Sequence, residues 1–117
     1  MYWYVAKIVY QIICGTGDHL PQFDEQLRLI SATSKPEAWK KAVQIGEQEQ
    51  YAFRNQREEL VEWRYINVPE LLALDELKDG MEIYSRVEEP DNANSYVALL
   101  QMKAAQLQSQ KMFELNV

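Results

Sequence analysis

The chain has little cysteine, little histidine and no excess of positive charge. A single cysteine, Cys14, rules out an internal disulfide and asks for no oxidising compartment. The single histidine, His19, falls in a C-x3-D-H cluster with Cys14 and Asp18, but zinc sites need three or four protein ligands and no third soft ligand follows. His19 therefore reads as a loop histidine and Cys14 as a small buried hydrophobe, with no metal and no cofactor expected. Twelve basic residues stand against eighteen acidic ones, a net charge of -6. Phosphate neutralisation drives nucleic-acid affinity, so this balance argues against such a partner and leaves at most a basic one. No apolar run approaches the length of a membrane span, and no charged-then-apolar leader opens the sequence, which predicts a cytoplasmic protein.

What is present suits one ordinary globular domain over residues 1–117, 47% apolar and 26% charged. Tyr2–Cys14 is apolar at nearly every second position, and the intervening Trp3, Val5, Lys7, Val9, Gln11 and Ile13 are mixed. Side chains alternate along a strand, so this is a central strand with one sealed face and one partly covered. Gly15-Thr16-Gly17 begins a loop. It faintly resembles a phosphate cradle, but those glycines open helices and here a proline and a strand follow. Residues 22–32 form a second strand, with Phe23, Leu27 and Leu29 on one face and Asp24, Gln26 and Arg28 on the other; Ile30 is the exception. Ser34-Lys35-Pro36-Glu37 is a capping box with proline in the first turn. The helix it starts carries Ala38, Trp39, Ala42, Val43 and Gly46 on one face and fades near Phe53, Gly46 marking a close approach to the sheet or a kink.

Residues 60–68 alternate again, with Val61, Trp63 and Tyr65 against Glu62, Arg64 and Ile66, predicting a third strand. Residues 69–74 read as a short helical turn or irregular segment starting at proline, 81–88 as a fourth strand, and a second helix starts near Ala93, with 112–117 as a tail. The predicted fold is α+β in the order ββαββα, a four-stranded antiparallel sheet of order 2-1-3-4 with one helix on its apolar face. Thirteen strand residues span about 43 Å, whereas an eighteen-residue helix covers only ~27 Å. Part of the first strand is thus left for the second helix or for another copy, which predicts a homodimer.

In that sheet Lys7, Arg28, Glu62, Arg64, Tyr84 and Arg86 project from one side. Cross-strand pairing is the plain account of them. The sharper one is a binding surface on which Arg28, Arg64 and Arg86 grip an anion and Tyr84 or Trp3 supplies a flat contact. Trp39, Trp63 and Tyr65 are assigned to the core.

Taken together, WYVAK, FDEQLRLI, AWKKAVQIGEQE, VEWRYINVPEL and DGMEIYSRV resemble a family of small bacterial proteins known as domain of unknown function 4288, from about residue 2 to residue 105. The resemblance implies a stand-alone bacterial protein and carries no functional residues with it. Function is left between a non-enzymatic binding or protein-interaction domain, an enzyme acting on a small anionic substrate beside Glu62 or Glu82, and an acidic inhibitor of a basic partner, as immunity proteins are.

Overall fold

A computed structural model describes residues 1–114. The chain divides into two units, Met1–Tyr84 and a second beginning at Ser85. The first holds β1 (Tyr2–Cys14), β2 (Gln22–Ala32), α1 (Lys35–Gln48), β3 (Tyr51–Arg54) and β4 (Leu60–Leu74); the second holds α2 (Ala93–Glu114).

The sheet is four-stranded and antiparallel, in the order β2-β1-β4-β3. β1 is interior, as its composition requires, and Tyr4, Ala6, Ile8 and Tyr10 line the core with Ile30, Ala32 and Val68. From the sheet's core side α1 contributes Ala38 and Ala42, both fully buried, and with Gly46 they make a small-residue ridge that lets the helix sit close. Ser34 caps α1 by accepting from the Glu37 amide. Glu37 reaches back past Ser34 to the Thr33 amide and hydroxyl, and these bonds hold its carboxyl below the ordinary value.

Three expectations need correction. The helix stops at Gln48, and Tyr51–Arg54, expected as its fading end near Phe53 and the start of a polar connector at Arg54, form the fourth strand. Residues 81–88, expected to be that strand, adopt no regular structure. The reason is local. Asn55 closes a tight loop, its amide donating to the Glu59 carbonyl while its side chain accepts from the Arg57 and Glu59 amides. A hairpin with so short a loop forms at lower entropic cost than a partner arriving from residue 81. Third, residues 69–74 are strand, not a helical turn or irregular segment: Leu71, Leu72, Ala73 and Leu74 pair with Ala6, Val5, Tyr4 and Trp3. Pro69 is tolerated because β3 covers only residues 60–63 of β4, so no ladder on that side needs its missing N–H.

α2 starts where expected, the Asn92 side chain accepting from the Ser95 amide. Val97, Leu100 and Leu107 of its apolar stripe are exposed. Residues 112–114, expected in a tail, belong to α2, and 115–117 lie outside the described residues. No helix among the described residues is long and apolar enough to cross a membrane.

Candidate functional site

Strand register decides which side chains meet. Arg28 lies opposite Ala6, Gln26 opposite Ile8 and Asp24 opposite Tyr10, so these three polar residues share the face that α1 covers. Leu27 lies opposite Lys7 and Leu29 opposite Val5, on the far face. This reverses the expected facing of β2. The helix is too narrow to roof the edge strand, and the polar residues sit beside it as a bonded chain. Gln26 donates to Asp24 (2.7 Å), Arg28 donates to Gln26 Oε1 (2.7 Å), and both Arg28 terminal nitrogens reach Glu49 at 3.0 and 3.1 Å. Trp63 Nε1 completes it by donating to Asp24.

The far face is largely apolar, covered at its centre, where Val5 is 4% exposed, and exposed at its flanks. Phe23, Leu27, Leu29 and Leu72 are 55%, 44%, 51% and 51% exposed, with Leu29, Val5 and Leu72 forming one row across three strands. Lys7 sits within this face, almost buried, its ammonium 3.4 Å from Glu25 and 3.2 Å from Glu70. It donates to the Tyr84 hydroxyl at 2.9 Å, and that hydroxyl donates on to Glu70 at 3.1 Å. Lys7 and Tyr84 thus meet although residue 84 is not in a strand.

The Tyr84 bond chiefly, and then Glu70 and Glu25, raise the Lys7 pKa well above its ordinary value of 10.5, against the opposing pull of burial. A lysine whose folded pKa is raised contributes stability that is complete below the unfolded pKa and is lost as pH climbs through the folded one. The stability gap between wild type and Lys7→Met is therefore expected to stay constant from neutral pH to about 10 and to narrow above it. Urea titrations at stepped pH read this directly, and a gap that persists at high alkalinity would remove the ammonium from the account.

The other expected site residues are divided. Glu62 and Arg64 pair at 3.2 Å at one end of the far face. They border a cavity of about 350 Å³ shared with Gln11, Ile13 and the loop of Gly15, Gly17 and His19. The loop needs its glycines, with φ of 59° at Gly15 and 83° at Gly17. His19 clamps it: Nε2 accepts from the Cys14 amide at 3.0 Å, which leaves the proton of the neutral ring on Nδ1, 2.8 Å from the Leu20 carbonyl. Arg86 pairs with Glu88 in the second unit. Arg28 and Arg64 face opposite sides of the sheet, so the single arginine surface expected from the sequence does not form. Among the described residues no three His, Cys, Asp or Glu side chains gather as a metal site.

One cluster escaped sequence reasoning. Tyr51, Phe53 and Trp63 stack on the helix side of the sheet at its β3 edge, with Tyr51 and Trp63 centroids 5.0 Å apart and nearly parallel. The alternation Tyr-Ala-Phe at 51–53 was its signal, obscured by the helical pattern running into it. Trp63 and Tyr65 pack against the core as expected, while Trp39 stays 43% exposed, its indole donating to the Val68 carbonyl.

No curated protein and no solved structure matches the chain. A family model does, over residues 3–85, nearly the whole of the first unit and none of α2. The fold and this match agree with the motifs read from the sequence, and the chain belongs to the DUF4288 family, a domain of unknown function.

Proposed function

We propose that this protein is a non-enzymatic, homodimeric interaction domain of the cytoplasm that binds a further partner through the exposed flanks of its sheet's far face. The observation that carries the reading is the exposed apolar side chains of Phe23, Leu27, Leu29 and Leu72, set opposite the helix and flanking a buried lysine paired with two carboxylates. An exposed apolar surface of this kind on a folded domain marks a contact waiting to be covered. A lone thiol, Cys14, suits a reducing compartment. The alternative, an enzyme gripping an anion, draws less support. Arg28, Arg64 and Arg86 are each bonded to a carboxylate within the chain, and the first two do not converge.

Two measurements test the reading. Sedimentation equilibrium from about 1 μM to 1 mM is expected to show the mass rising from 13.7 kDa toward twice that value. A mass that stays at 13.7 kDa throughout ends the homodimer. The fluorescence of an anilinonaphthalene dye is expected to rise with the wild type and to drop in Leu27→Asp/Leu29→Asp, whose exposed positions leave the fold within about 0.5 kcal/mol per site. Equal fluorescence would mean that the face is not available to bind.

A further inference from the structure

Resting on the homodimeric reading, we infer that two copies join along the free edge of β3, which pairs antiparallel with its own copy about a two-fold axis at Ala52. β3 is one of the two outer strands of the sheet. The other, β2, carries the acidic pair Asp24-Glu25, and its Ser31 carbonyl is taken by the Lys41 ammonium at 2.9 Å. The part of β4 beyond β3 is interrupted by Pro69, and its Tyr65 amide is satisfied by the Gln50 side chain at 3.0 Å. Charge, proline and side-chain caps are how edges are kept from pairing. Within Tyr51–Phe53 β3 has none of these, and only its four-residue length limits pairing.

Its hydrogen-bonding phase points the right groups outward. The Asn55 amide bonds the Glu59 carbonyl, and the Leu60 carbonyl turns to Gly15 on the other side of β4. Antiparallel bonding alternates, so residues 51 and 53 face β4 while the N–H and C=O of Ala52 face out. With the axis at Ala52, the two Ala52 residues exchange both bonds. Tyr51 then lies opposite Phe53 of the second copy and Phe53 opposite its Tyr51, because opposed residues share a face. Tyr-Ala-Phe is thus its own complement, the requirement of an isologous joint.

The two aromatic stacks become one strip across the axis, covering Tyr51 and Phe53, now 51% and 46% exposed. On the opposite face, Arg54 comes opposite Gln50 of the second copy, with the two Ala52 methyls side by side at the axis. The far face does not suit a second copy. Its two-fold contact would press Lys7 with Glu25 and Glu70, net negative, against an identical cluster, and burying like charges is costly. Edge pairing instead keeps both far faces on one side, as a single eight-stranded platform. The joint is small, so dissociation is expected on the order of micromolar.

Disulfide trapping separates the surfaces. In a Cys14→Ser background, Ala52→Cys should crosslink under mild oxidation at least about tenfold faster than Leu27→Cys, since opposed residues of a bonded pair stand within disulfide reach. Ala52→Pro should keep its circular dichroism, the lost N–H being solvent-facing, and raise the dissociation constant at least about tenfold by removing the two central bonds. A wild-type dimer whose affinity Ala52→Pro leaves unchanged, or with Leu27→Cys crosslinking faster, overturns the β3 joint and leaves the homodimer standing. A wild type that is monomeric at every concentration overturns both.

Discussion

Tyr10→Ala is expected to lower stability by ~3–5 kcal/mol in urea denaturation, the range for deleting a large buried aromatic. Tyr10 is 1% exposed at the centre of β1, and its ring meets Tyr65 edge-on with centroids 6.1 Å apart. Its hydroxyl donates to the Gly46 carbonyl at 2.9 Å. That carbonyl belongs to the last turn of α1, where four carbonyls have no partner inside the helix. α1 ends without a basic residue in that turn and without a glycine cap, so a tyrosine from the sheet does the capping. Tyr10→Phe isolates this bond and should cost about 1–2 kcal/mol, because a buried carbonyl is left unpaired. Burial raises the Tyr10 pKa above 10, so deprotonation at higher pH works against the folded state. If Tyr10→Phe were as stable as wild type, the helix end would have to be held by something else.

Gly46→Ala is expected to destabilise the protein by about 2 kcal/mol, the reverse of its effect in an isolated helix. Alanine should gain about 1 kcal/mol over glycine from helix propensity. Against this, a Cβ at Gly46 would stand 2.4 and 2.6 Å from two ring carbons of Tyr65 and 3.1 Å from Ile8 Cγ2. Overpacking of this kind costs about 1–3 kcal/mol, and the upper part of the range applies because Tyr65 is wedged against Tyr10. The decisive comparison is the double variant. In a Tyr65→Ala background, Gly46→Ala should become neutral or stabilising, since the obstructing ring is gone. A Gly46→Ala protein more stable than wild type with Tyr65 in place would show that the helix can back away from the sheet.

Much of this was legible in advance, and the failures have physical causes. β1 could be read as interior because both of its parities are rich in apolar residues, and an antiparallel neighbour on each side followed. The close approach at Gly46 was legible because a glycine inside a helical stripe has few other uses. β2 was misread because alternation separates two faces without saying which one a helix will cover. Phe23, Leu27 and Leu29 outvoted Ile30, yet Ile30, at 2% exposure, was the residue that marked the core. Its place opposite Tyr4 decides the matter. The fourth strand was misplaced because the pattern at 81–88 is a good strand pattern, and only chain entropy favours four residues adjacent to a tight loop. Lys7 and Tyr84 were nominated together on a false strand and meet through a true contact. The arginine surface failed with the β2 reading, since its members were grouped by parity alone.

Two single-residue irregularities in β4, between the partners of Lys7 and Val9 and between those of Val9 and Tyr10, carry a last consequence. Each inserts one extra residue on β4, so its inward positions are odd up to Tyr65, pass through Val68, and are odd again from Leu71. A ladder of uniform period could slide by two and still present greasy side chains to the right layer. This one cannot, because sliding would carry the misfit at 66–69 past a β1 segment built without one. The imperfection works as a key: the two longest strands have a single alignment in which every inward residue lands inward.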